Sequence, residues 1–229
     1  MLSAFDPQDS RTAQRQVYDT LRRALMSGQF LPGEGISIRR LASACKTSTT
    51  PVREALRQIE TEGGLVEGAN RVLSVPTCDL EYLDELYTVR VALEGLATEK
   101  AAESITVDEL VLVEQACSAM AHAADAFDIP TYLENNWRFH AAIYAAARSR
   151  LMADMIEGLW LRAGPMIRLV PGPAHFARSM ESHWAALAAL QAGQAATARS
   201  AIERDLRDAG QDLASILSEW TAPGEVETK

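Results

Sequence analysis

The sequence predicts a mainly α protein in two parts, an N-terminal winged helix-turn-helix and a C-terminal all-α bundle of six to seven helices. Three observations predict it. Two short amphipathic segments, residues 36–44 and a helix opening at Thr50, flank the turn Lys46-Thr47-Ser48-Thr49. Two β-branched runs, 65–67 and 71–75, surround Gly68-Ala69-Asn70 just behind them. After Pro76-Thr77 there is no strand signal, and helical segments follow one another across loops of two to six residues.

The elements follow in order from local chemistry. Residues 1–11 are polar and acidic and are expected to be a disordered N-terminus. A first helix over 14–27 places Val17, Leu21, Ala24 and Leu25 on one face and ends at Gly28, and Phe30-Leu31-Pro32-Gly33 makes a turn. Ser37 caps the 36–44 helix. In the next helix Thr50 suits the N-cap and Pro51 the first helical position, where no N–H is missed. Val52, Ala55, Leu56 and Ile59 recur at i, i+3, i+4 and i+7, so one face is buried while Arg53 and Arg57 point away from it. Hydroxyl side chains and an arginine at the start of a helix suit a DNA major groove, because hydroxyls and free N–H groups meet phosphates and a guanidinium can bond a guanine edge twice. For this helix alone an ordinary solvated surface is the alternative; the short helix and turn before it favour a reading head. Glu62-Gly63-Gly64 ends the helix, and the following hairpin forms a wing with Arg71 near its tip, a candidate either to enter a minor groove or to stay an ordinary solvated arginine.

The second part, 77–222, reads as six helices. The first covers 79–104. Thr106-Val107-Asp108-Glu109 is a capping box opening the second, 107–127. The third spans 130–147, and the fourth, 151–169, is broken by Pro171-Gly172-Pro173. The fifth, 175–192, is closed by Gly193, the sixth covers 195–220, and 223–229 is expected to be a flexible tail.

The chain has 229 residues, 48% of them hydrophobic, which is ample for real cores. No run approaches the roughly 18 apolar residues of a membrane helix and no hydrophobic leader is present, so a cytoplasmic protein is expected. Cys45, Cys78 and Cys117 are scattered, without metal-ribbon or disulfide spacing, and each reads as a small core residue. The net charge of −9 hides an asymmetry: residues 1–76 carry ten basic and eight acidic side chains, the remainder twelve and twenty-three. Within 37–57, Arg39, Arg40, Lys46, Arg53 and Arg57 face only Glu54. A basic patch on an acidic chain marks a nucleic-acid module joined to something else.

Several of these residues also carry a resemblance. The run from Leu21 through Gly28, Pro32 and Gly33, followed by Ser37, Arg39, Leu41-Ala42, Thr50-Pro51-Val52-Arg53-Glu54-Ala55-Leu56 and Glu62-Gly63, is similar to the winged helix-turn-helix of the GntR superfamily of bacterial transcription regulators. The resemblance implies DNA contacts at Arg39 and Arg53; Ser48, Thr49 and Thr50 join them on the phosphates by their own chemistry. Thr49 replaces an arginine common in that turn, and Lys46 replaces a usual glycine and is a candidate extra phosphate contact. Leu86, Val89-Arg90, Leu93-Glu94, Asn136-Trp137-Arg138-Phe139-His140, Glu181-Ser182-His183 and Leu190-Gln191-Ala192-Gly193 resemble the FCD-type ligand-binding domain of the FadR branch.

That second resemblance implies a divalent metal, zinc or nickel, at Asn136, His140, His183 and Asp205, where relatives usually hold one aspartate and three histidines. Asn136 and His140 are i and i+4, so they share a helix face, and two imidazoles, a carboxylate and an amide oxygen suit an open site. Buried, hydrogen-bonded histidines are the structural alternative. His122 and His175 match no such position and read as surface residues. Arg90 is a candidate either to anchor a small carboxylate effector or to brace the pocket through an ion pair. The function this implies is a homodimeric repressor that binds double-stranded operator DNA and is controlled by a small organic acid, its binding shifting the two reading heads. A metal-free pocket for an acyl ligand is one alternative. A metal-dependent hydrolase is another, although the sequence offers neither a nucleophile motif nor a placed general base.

Overall fold

The computed structural model describes residues 7–68, 72–170 and 172–221. They divide into two compact units at Thr77, with Glu157–Arg168 belonging to the first unit and the remaining residues after Thr77 to the second.

The first unit contains α1 (Pro7–Met26), α2 (Ile38–Ala44), α3 (Thr49–Thr61) and the antiparallel strands β1 (Val66–Glu67) and β2 (Leu73–Ser74). α1 starts seven residues before the periodicity marks it, since its first two turns carry no apolar stripe to reveal them. From Val17 onward it buries Val17, Tyr18, Leu21, Leu25 and Met26. It stops where Gly28 takes φ 64°, with the Gln29 N–H bonded to the Ala24 carbonyl, the helix-ending pattern that favours a residue without Cβ. α2 is capped by Ser37, whose hydroxyl accepts the Arg40 N–H. α3 buries Pro51, Val52, Ala55, Leu56 and Ile59 and packs on α1 and α2. Tyr18 and Arg22 of α1 both bond the Glu62 carboxylate at the end of α3. In the wing Val66 pairs with Ser74 and Glu67 with Leu73, and the segment before α2 joins as a third edge through a Gly35–Ser74 bridge.

The second unit contains α4 (Leu80–Ser104), α5 (Val107–Asp125), α6 (Ile129–Ala146), α8 (Pro173–Gln191) and α9 (Ala195–Thr221). α7 (Arg150–Ile167) starts in this unit, and from Glu157 on belongs to the first. The segment 77–222 is therefore not one continuous block. The reason is packing: Glu157 pairs with Arg22, Arg168 donates to the Gly28 carbonyl, and Gly164 sits against the Leu25 and Met26 backbone, where a Cβ would come within 2.4 Å of the Leu25 oxygen.

Within the second unit α4 packs on α9 and α6, α5 on α6 and α8, and α8 on α9. The caps explain the helix starts: Asp79 accepts the Tyr82 N–H, Asp128 the Thr131 N–H, and Thr106 and Glu109 form the reciprocal capping box. Among the described residues no helix is long and apolar enough to cross a membrane. Of the three cysteines only Cys117 is fully buried; Cys45 and Cys78 are half-buried, one at the end of α2 and the other on the linker, where no helix covers them completely. Burial still holds the Cys78 thiol up at about 11 and that of Cys117 at about 12, so neither is a thiolate near neutral pH.

Candidate functional site

Two places in the fold concentrate polar side chains. The first is the outer face of α2, the turn and α3. Arg39, Arg40, Lys46, Ser48, Thr49, Thr50, Arg53 and Arg57 are all exposed there. The α3 cap differs from expectation. Ser48, not Thr50, is the N-cap residue, with extended backbone at ψ 170°, and Pro51 lies at the third helical position, still among the N–H groups that have no partner inside the helix. No side chain caps this end, so its orphan N–H groups stay open beside the exposed hydroxyls. Lys46 closes α2 with φ 51°, and the Thr47 N–H bonds the Ala42 carbonyl across it; a lysine thus occupies a left-handed position where glycine is usual, and it holds its charge in the turn before α3. Arg71 lies outside the described residues.

The second place is inside the helical unit, where Arg90, Glu94, Thr98, Asn135, Asn136, His140, Ser179, Ser182, His183 and Asp205 are buried. Burying polar groups is costly unless each is matched, so their concentration has to be explained. Three of them converge from three helices: His140 on α6, His183 on α8 and Asp205 on α9. The two Nε2 atoms are 3.2 Å apart, and Asp205 Oδ2 lies 3.4 Å from one and 3.5 Å from the other. Ligand atoms bonded at ~2.0–2.2 Å to a tetrahedral zinc ion stand about 3.3–3.5 Å from each other, so this triangle has the dimensions of one face of such a site. Asn136 is buried one turn before His140, and among the described residues its side chain makes no hydrogen bond to the other three.

Each converging group is oriented from behind. Ser179 donates to Asp205 Oδ1 at 2.9 Å, accepts from the Tyr132 hydroxyl at 3.0 Å, and lies 3.5 Å from His183 Nδ1. His140 Nδ1 is 2.9 Å from the Tyr144 hydroxyl, which donates to Glu94 Oε2 at 2.6 Å, and Arg90 Nε donates to Glu94 Oε1 at 2.7 Å. Phe139 stacks edgewise on both imidazoles and closes the apolar side. The electrostatics favour a cation. Burial raises the Asp205 carboxyl, but the facing His183 and His140 imidazoles outweigh it and hold the group well below its ordinary range. Burial lowers His140, keeping it neutral despite Asp205. Burial and then the Glu94 charge push the Tyr144 phenol well above its ordinary range. Asp205 is thus an ionised carboxylate that no Arg or Lys pairs among the described residues, and Arg90 is matched to Glu94. Two imidazoles and a carboxylate fit a divalent ion of borderline character.

Arg90, expected as an effector anchor or a brace, is 1% exposed and forms this ion pair while stacking on Tyr87 at 4.8 Å; the brace is the role that its position supports. A cavity of ≈ 410 Å³ between α4 and α9 is lined by Leu83, Tyr87, Val91 and Gly210 among others, but neither by Arg90 nor by the converging triad. His122 is exposed as expected. His175 is not a plain surface residue: it is half-buried and lies 2.8 Å from Asp212, which Arg178 also grips, because α8 presents both side chains to α9 there. Tyr132, Tyr144, Ser179 and Glu94 were not singled out as site residues from the sequence. The signal available was spacing: Tyr144 follows His140, and Ser179 precedes His183, by one helical turn.

A winged helix-turn-helix with an uncapped, arginine-bearing second helix, joined to an all-α unit with a polar heart, defines a DNA-binding transcription regulator with a separate helical domain. Comparison with known proteins makes this specific. Residues 13–71 match the model of the gntR family of bacterial regulatory proteins, and residues 85–208 match the FCD domain. The transcriptional regulator McbR of Escherichia coli K12 is 30% identical over 180 residues, covering 77% of this chain and 81% of McbR. The solved structure of McbR superposes with a TM-score of 0.79 at 27% identity, over 91% of this chain and 98% of that one. The transcriptional repressor RspR of E. coli K12 is 25% identical over 145 residues, 63% of this chain and 64% of RspR. A GntR regulator from Rhodococcus sp. RHA1, at 21% identity, shares the fold with a TM-score of 0.72 over 89% of this chain and 98% of its own. The chain belongs to the GntR family and carries an FCD domain; its families and relatives are transcription regulators, not enzymes, and regulators of this family bind operator DNA.

Proposed function

We propose that this chain is a homodimeric repressor whose grip on its operator is set by a small organic acid bound in the helical unit beside a divalent metal, zinc or nickel. On the DNA side Arg53 reads a base edge from α3, Arg39 and Lys46 meet phosphates, and Ser48, Thr49 and Thr50 with the free N–H groups of the first turn hold the backbone, Arg71 adding a wing contact. His140, His183 and Asp205 would hold the metal, with Asn136 as a weaker fourth ligand. The metal, when bound, would offer an open coordination position to the effector's carboxylate. Arg90 acts on the site as a brace through Glu94. A regulator of this kind works in the cytoplasm, beside the DNA it reads.

The observation that carries the metal reading is the triangle of His140 Nε2, His183 Nε2 and Asp205 Oδ2 at 3.2–3.5 Å, closed around an ionised carboxylate that no Arg or Lys pairs among the described residues. Metal analysis of protein purified without a histidine tag tests it. One divalent ion per chain is expected, lost in His183→Ala, together with a thermal shift on adding small organic acids that chelation abolishes. Protein that folds normally and neither carries nor takes up stoichiometric zinc or nickel would remove the metal from the account.

A further inference from the structure

We infer that Tyr144 and Glu94 are positioning residues for His140: their hydrogen-bond chain places the imidazole proton on Nδ1 and leaves the Nε2 lone pair directed at His183 and Asp205, ready for a divalent cation. The inference rests on the metal reading above and deepens it.

It follows from counting protons along the chain. A phenol has one proton to donate. Tyr144 directs it to Glu94 Oε2 at 2.6 Å, the shorter of its two contacts. At its other contact, 2.9 Å from His140 Nδ1, the same oxygen can only accept, so Nδ1 carries the hydrogen. A neutral imidazole has one N–H, and Nε2 is then a bare donor atom for a metal. The chain is anchored at its far end, since Glu94 and Arg90 are 0% and 1% exposed and Arg90 holds Oε1 at 2.7 Å. With Nδ1 bonded, the ring cannot turn about its axis without breaking that bond. His140 Nε2 therefore meets His183 Nε2 at 3.2 Å as the acceptor, with Asp205 Oδ2 within 3.5 Å of both, so the buried relay prepares the His140 lone pair in advance for a cation that would displace the shared proton. Nothing about Tyr144 alone marks it; the chain from α6 to α4 does.

The test has two parts. In long-range ¹H–¹⁵N spectra of chelated wild-type protein near neutral pH, His140 should show the Nδ1–H tautomer. In zinc titrations, Tyr144→Phe should bind about 10–100-fold more weakly than wild type, with its His140 signal moving away from the pure Nδ1–H pattern. Ser104→Ala is the control. It cuts a bond from α4 to the Ala146 carbonyl of α6, the same pair of helices, and should leave zinc affinity unchanged. An Nε2–H tautomer in the wild type overturns the inference, and this measurement stands even if Tyr144→Phe does not fold. If the wild type binds zinc and Tyr144→Phe binds it equally well, the inference alone falls; if the wild type binds none, the metal reading falls with it.

Discussion

Lys46 shows how much a single residue can reveal about purpose. A non-glycine side chain at φ 51° costs about 1–2 kcal/mol, and glycine's greater freedom in the unfolded chain offsets about 0.4–1 kcal/mol of what replacing it would recover. A Lys46→Gly variant is thus expected to gain between nothing and about 1.6 kcal/mol, read as a higher Tm, while losing one phosphate contact, read as a salt dependence of operator binding shallower by about one unit. Unchanged salt dependence would remove Lys46 from the interface. Arg53 is the complementary case: it is exposed on a helix whose other face is packed, so Arg53→Ala should leave the fold intact and weaken operator binding by about 1–3 kcal/mol, measured by anisotropy alongside circular dichroism.

At the scale of elements, α5 and α7 make different demands. The Glu109 carboxyl is held at about 2, below its ordinary 4.5, first by Arg148 and then by the Thr106 N–H. A depressed carboxyl adds stability that is complete above about pH 4.5 and is lost as the pH falls toward 2. Wild-type Tm should therefore drop more steeply than that of Glu109→Gln across that window, and above it the variant should be less stable by about 0.5–1 kcal/mol, both partners being partly exposed. Equal slopes would mean that the box contributes nothing. In α7, Gly164→Ala would set a Cβ 2.4 Å from the Leu25 oxygen and 2.6 Å from that of Met26, backbone atoms that cannot step aside. A loss of about 1–3 kcal/mol in thermal melts is expected, and an unchanged Tm would contradict the close approach.

For the whole molecule, caps and breakers made most of the element order legible: Gly28, Ser37, the Thr106–Glu109 box and Gly193 stand at helix ends as their chemistry dictates. The true start of α1, the shift of the α3 cap from Thr50 to Ser48, and the transfer of Glu157–Arg168 to the first unit were not legible. The first turns of α1 carry no apolar stripe, Ser48 and Thr50 are both good caps by local chemistry, and the placement of 157–168 depends on contacts with residues far apart in sequence, which local preference does not register. α4 is instructive. Its buried side holds Arg90, Glu94 and Thr98 as well as Leu83 and Leu86, so apolar periodicity describes it poorly. That polar interruption is itself the imprint of the site. The four candidate ligands came from resemblance, because spacing alone joins only Asn136 to His140; the partners Tyr144 and Ser179 sit one turn from their histidines, a spacing too common along nine described helices to single them out.

What unites the two units is the claim that occupancy of a buried polar heart changes how firmly an exposed basic face holds DNA. The most direct measurement is the anisotropy of a labelled duplex from the region upstream of the chain's own gene, titrated with untagged protein in zinc-loaded and chelated forms over a range of salt. The account predicts affinity that falls steeply with salt in both forms and differs between them by about 5–150-fold, the usual span of coupling between sites. Binding that ignores salt, or dissociation constants that coincide for loaded and chelated protein, would contradict it.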